Sequence, residues 1–333
     1  MSELYPLRML PSFDPRPWGT QDLSPIYPNH KFEKKIGEAW LSGDDCKVAI
    51  GPQAGKTLAQ LSEQYQRELV GEAARDPSRF PLLLKFLFPH EKLSVQVHPD
   101  DEQALRVGQP WGKTECWYVA HGRPGAQIGL GLKNGVTVRQ LEEAIHQQRA
   151  EELLNWINIY SGDMIYVAGG TVHTLGPGSV IVETQQQSDT TYRLYDYGRP
   201  RELHLKDGMA AVKETVKSGK VVRPAPVNLP GSSNRRESLI AAPYFVVERF
   251  EAKEPLQLST CDQFERSSVQ ILVAVEGCGS VEAPGGDAVT LAKGDAVVVP
   301  ACVKNFDVRP LWSVEFLRAY VPGTMLPEPE TRI

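Results

Sequence analysis

The chain has 333 residues, 41% of them hydrophobic and 23% charged, and a formal net charge of −5. That length allows two domains with substantial cores, and the slight acidity gives no electrostatic reason to expect nucleic acid or an anionic membrane as partner. The opening MSELYPLRMLPSF lacks an apolar targeting core and no segment approaches a membrane span, so a cytoplasmic protein, monomeric or weakly dimeric, is expected.

The five cysteines (Cys46, Cys116, Cys261, Cys278 and Cys302) form no CxxC pair, and read as reduced, mostly buried thiols. Gly51-Pro-Gln-Ala-Gly55-Lys56-Thr57 imitates a phosphate-binding loop. Only three residues separate its glycines, however, and the proline removes an amide donor, so it reads as a turn capping a helix from Thr57. Thr57–Glu72 and Thr137–Leu154 carry apolar residues at helical spacing, the second with Leu141, Ala144, Ile145 and Leu153 and with Thr137 as N-cap. Short β-type runs make up most of the remainder: Leu83–Phe88, Leu93–His98, Cys116–Ala120, Met164–Val167, Val180–Thr184 and Tyr192–Tyr195. Asp100-Asp101-Glu102 reads as a solvated loop whose first acidic residues cap a short helix.

Residues 224–234, rich in Pro, Gly, Ser and Asn, read as a linker between units 1–223 and 235–333. Beyond it, Phe245–Phe250, Val269–Val275, Val289–Leu291 and Ala296–Val299 form a second β-rich block. Short strands with turns between them predict a mainly β protein of two antiparallel jelly rolls with a few helices. The halves repeat a turn: Gly162-Asp163, an apolar strand and His173 in the first, Gly294-Asp295, an apolar strand and Asn305 in the second. This pattern resembles the second motif of cupin jelly rolls. No histidine follows His204, so a histidine metal site is confined to the N-terminal barrel.

Gln96 and His98 are two residues apart, as are Lys113 and Glu115, and on a strand each pair faces one way. With His173 these supply nitrogen and oxygen donors suited to a borderline divalent ion such as zinc. Any one of these histidines alone would read as a hydrogen-bonded structural residue, and so do His30, His90, His121, His146 and His204. Glu115 beside Lys113 also reads as an ion pair, and Arg193 as a partner of Asp189 or Asp196. On a continuous strand Glu183, Gln185, Gln187, Asp189 and Arg193 would share one face.

SVQVHPDDEQA, WGKTECWYV, GGTVHTLGPG and ETQQQSDTTYRLYDYGR occur in the order of the type I phosphomannose isomerases, and the chain resembles their shorter bacterial form. Arg16-Pro-Trp18-Gly19 and Gly37-Glu-Ala-Trp40 fit the family's N-terminal pattern. Ala39 and Ala168 depart from it where Ser and Pro are common. The resemblance implies one zinc per chain on Gln96, His98, Glu115 and His173, and interconversion of mannose 6-phosphate and fructose 6-phosphate through a cis-enediol. Arg193 sits where the family has its active-site arginine; because it cannot titrate usefully it reads as a fixed cation, Lys113 near a divalent ion reads as a proton shuttle, and Asp189 and Trp18 read as substrate-binding. The base for the C–H stays open among a water on the metal, Lys113 and Asp189. The alternatives are an isomerase of another aldose or sugar phosphate, and a non-catalytic sugar-binding cupin containing a metal. An iron dioxygenase would more usually have His-x-His where Gln96-x-His98 stands.

Overall fold

The computed structural model describes residues 4–262 and 265–333. The fold is mainly β, with three antiparallel sheets of ten, eight and five strands. The eight-stranded sheet runs in the order Ser12–Thr20, Ile36–Trp40, Leu82–Leu87, Ser179–Gln186, Glu115–Gly122, Met164–Val167, Gly219–Val221 and Thr331–Arg332. The five-stranded sheet runs Tyr192–Tyr195, Val95–Val97, His173–Leu175, Gln127–Leu132 and Leu154–Asn158. Trp18, Leu87, Trp117, Val119, Ile128, Leu130, Ile165 and Ile181 fill the space between these two sheets.

The other face of the eight-stranded sheet is buried too. Leu84, Phe86, Cys116, Tyr118, Tyr166 and Val182 pack there with Ile271, Val273, Val298, Leu317 and Ala319 of the C-terminal sheet. Two buried faces explain why Leu82–Leu87 reads LLLKFL without polar alternation. Each fully buried Leu or Phe of this layer contributes about 1.5–3 kcal/mol. Lys85, the one charge in the run, points into the barrel with Trp117 and Glu183 opposite or beside it across the strands.

The ends of the chain cross the boundary read from the sequence. Leu7–Leu10 pairs with Ala296–Val299, and Thr331–Arg332 pairs with Gly219–Val221. Val227–Asn228, inside the expected linker, pairs with Arg235–Ala241. The repeated turn is present in both halves. Gly162 and Gly294 both take positive φ (90° and 87°), and Asp163 and Asp295 each accept a hydrogen bond from the amide three residues earlier.

Both expected helices are shorter than their periodicity suggests. Gln66 at φ 44° divides the first into Leu58–Tyr65 and Arg67–Val70. The second ends at His146, Gln148 turns to φ 59°, and Leu154 already begins a strand. Thr137 does cap the helix Val138–His146, in a capping box with Gln140. Thr137→Ala is expected to cost about 1 kcal/mol, read as a lower urea midpoint with an unchanged slope.

Candidate metal and catalytic site

The strand Val95–Val97 lies between two neighbours, and register places Gln96 opposite both His173 and Arg193. Residues directly opposed across a ladder share a face, so these three side chains form a row pointing into the barrel. His98 follows two residues after Gln96 on the same side. Glu115 comes from the facing sheet, as the first residue of Glu115–Gly122, opposite Gln185.

The donors converge. His98 Nε2 lies 3.5 Å from Glu115 Oε2 and His173 Nε2 lies 3.5 Å from Glu115 Oε1. The Gln96 amide is 3.3 Å from His173 Nε2, and a half-turn of that amide presents its oxygen at the same place. Tetrahedral donors held at zinc bond lengths stand roughly 3.4 Å apart; one ligand atom from each of His98, Glu115 and His173 lies within 4.8 Å of the other two. His98 Nδ1 is 3.0 Å from the Thr190 carbonyl and His173 Nδ1 is 2.9 Å from that of Thr171. A carbonyl can only accept, so both Nδ1 atoms carry the proton and both Nε2 lone pairs face Glu115.

Both Glu115 oxygens are buried without a hydrogen-bond donor. Burial and nearby Glu183 push its pKa up to about 8, against the lowering pull of Lys113 and Lys85. Burial, then the Lys113 cation, then His173 drive His98 well below its usual value, and burial brings His173 down to about 4. A carboxylate stripped of water and two neutral imidazoles aimed at it form a set that a divalent cation completes. His98, Glu115 and His173 are the one such His/Cys/Asp/Glu group among the described residues.

Above these donors opens a cavity of about 420 Å³, lined by Gln96, Lys113, Glu183, Asp189 and Arg193 among others. One wall is a ladder of alternating charge. Arg16 contacts Glu38 through two nitrogens at 3.2 Å, Glu38 lies 3.7 Å from Lys85, and Lys85 lies 3.1 Å from Glu183. Trp117 Nε1 donates to Glu183 at 3.0 Å. Burial opposes the charge on Glu38, but Lys85 and Arg16 outweigh it and hold the carboxyl at about 2.

Lys113 and Arg193 also line the cavity, and neither forms the ion pair that their sequence neighbours suggest. Lys113 is 4% exposed and donates to Thr191 Oγ1 at 3.3 Å. Arg193 donates to the Glu202 carbonyl at 2.8 Å, while its Nε is buried without a partner. Asp196 is taken by Arg199 and Arg201. Asp189 is exposed at the cavity rim, and Trp18 is buried in its wall.

The two runs expected here form two separate strands, so the one face that a continuous strand would give Glu183 and Arg193 does not arise. The first ends at Gln186, where Gln185 turns back to the Ser188 carbonyl, and Tyr192–Tyr195 joins the facing sheet. Glu183, Asp189 and Arg193 therefore meet at one cavity from two sheets. Arg16, Glu38, Lys85 and Arg201, which also line it, were not singled out from the sequence. The lone charge in LLLKFL was the available sign for Lys85.

The type I phosphomannose isomerase catalytic-domain family model matches residues 18–110. A mannose-6-phosphate isomerase of Streptococcus mutans is 33% identical over 300 residues, covering 87% of this chain and 90% of its own. The chain belongs to the type I phosphomannose isomerase family. ManA of Bacillus subtilis, also named a mannose-6-phosphate isomerase, is 40% identical over 222 residues, covering 62% of this chain and 68% of its own. A crystal structure of a mannose 6-phosphate isomerase from Bacillus subtilis superposes with a TM-score of 0.82 at 31% identity, covering 94% of this chain and 99% of that one. Family membership agrees with the observed cupin-type β fold. No helix among the described residues is long and apolar enough to cross a membrane.

Proposed function

We propose that the protein interconverts mannose 6-phosphate and fructose 6-phosphate, moving a proton between C2 and C1 through a cis-enediol(ate), with one zinc held by Gln96, His98, Glu115 and His173. The observation that carries this reading is Glu115, a buried carboxylate with no donor of its own, facing two imidazoles whose tautomers are fixed toward it. Zinc, when bound there, polarises the carbonyl and hydroxyl oxygens of the sugar.

The remaining chemistry falls to side chains around the cavity. Lys113, which donates to the Thr191 hydroxyl and has no carboxylate partner among the described residues, carries a proton between the two sugar oxygens. Arg193 keeps its charge at any working pH, and with no carboxylate partner among the described residues it offers that charge to the enediolate or the phosphate. Asp189 and Trp18 bound the space the sugar phosphate would occupy. The catalytic unit is proposed to be the paired five- and eight-stranded sheets, with the C-terminal sheet as support.

Mannose run beside mannose 6-phosphate tests the substrate class. With the zinc-loaded protein, fructose 6-phosphate should form from the phosphate while the free sugar turns over far more slowly. Equal rates on the two sugars would leave the phosphate without a role and favour an isomerase of another aldose.

A further inference from the structure

Gly112-Lys113-Thr114 precedes the strand Glu115–Gly122, so the sheet alone does not fix the backbone of Lys113. Side chains take over. Gln186, 5% exposed, accepts from Thr114 N at 2.9 Å through Oε1 and donates from Nε2 to Asp101 Oδ1 at 2.9 Å. The same Asp101 oxygen accepts from Gly112 N at 2.9 Å. The amides on both sides of Lys113 thus end on one joined pair of side chains. The amide of Lys113 itself donates to the Pro99 carbonyl at 2.9 Å.

The arrangement has little slack. A Cβ on Gly112 would lie 2.4 Å from the Asp100 carbonyl carbon, so only glycine lets the two backbones approach this closely. Arg75 holds the other Asp101 oxygen at 2.6 Å. Asp100 and Asp101 also open the helix that follows His98, so the clamp ties the Lys113 segment to a segment carrying a metal donor.

We propose that Gln186 and Asp101 are positioning residues for Lys113: they clamp its flanking peptides so that its ammonium stays at the sugar oxygens. This inference rests on the reading in which Lys113 moves the proton. An ångström of misplacement at such a group costs up to about 10²-fold in rate.

The test is a double-mutant cycle on the zinc-loaded protein, following kcat and KM for mannose 6-phosphate. Gln186→Met is expected to lower kcat about 10-fold with KM within about twofold. In a Lys113→Ala background the same change should have no further effect, because the group it positions is gone. Asp101→Leu, which removes the acceptor that Gly112 N and Gln186 Nε2 share, serves in the cycle should Gln186→Met not fold. The same loss in both backgrounds, or no loss in either, overturns the clamp while leaving the role of Lys113 standing. Unchanged kcat in Lys113→Ala alone overturns that role, and the clamp with it.

Discussion

Arg193→Ala is expected to lower kcat for mannose 6-phosphate by about 10²–10³-fold, with zinc content and melting temperature close to those of the native protein. The guanidinium makes one hydrogen bond, to the Glu202 carbonyl, and has no carboxylate partner among the described residues. Its removal therefore breaks no ion pair, and it relieves a buried Nε that has no acceptor. What it takes away is a cation of the cavity that Glu38, Glu183 and Asp189 also line, the one that the proposal sets at the reacting oxygens. Enzyme assay beside thermal unfolding separates the two effects. A variant that merely unfolds would make Arg193 a structural residue.

Glu115→Gln is expected to lose zinc and about 10²-fold or more in kcat, yet to make the metal-free fold more stable in alkaline solution. Unfolded, this carboxyl ionises near 4.5; folded, burial and Glu183 keep it protonated to about 8. Between those values folding takes up a proton, so stability falls as pH rises. His98 and His173 act in the opposite direction. Both are held neutral in the fold and protonate below 6.5 when unfolded, so their contribution grows up to about pH 6.5 and is level above it. From pH 6.5 to 8 Glu115 dominates this trio, and the metal-free protein should lose stability as pH rises. Urea unfolding of chelator-treated protein across that window reads it directly, and Glu115→Gln should abolish the slope. Equal slopes in both proteins would mean that Glu115 is not the group responsible.

Much of the site is legible in the sequence because its donors lie at strand spacing within short segments. Gln96 and His98 share a face by local geometry alone, and the Gly-Asp turn before His173 has a form that its second copy repeats. The ladder Arg16–Glu38–Lys85–Glu183 is not legible in that way. Its members belong to four different strands, and only the sheet order makes them neighbours. The break between Gln186 and Tyr192 is legible as the gap between two β-type runs, while the bond of the Gln185 side chain to the Ser188 carbonyl beside it leaves no mark in the sequence. The helices also end sooner than their apolar periodicity does. Gln66 and Gln148 suit helices well by propensity, yet both stand exposed at positive φ where a helix has ended. The pairing of Leu7–Leu10 with Ala296–Val299 spans most of the chain and leaves no local mark.

The most direct measurement is zinc content and isomerase rate on one preparation, before chelation, after it, and after zinc is restored. The proposal predicts about one zinc per chain, fructose 6-phosphate formation from mannose 6-phosphate, loss of that activity with the metal, and its return with zinc. Full activity in metal-free protein would contradict the metal mechanism. No activity in the zinc-loaded protein would contradict the isomerase reading itself.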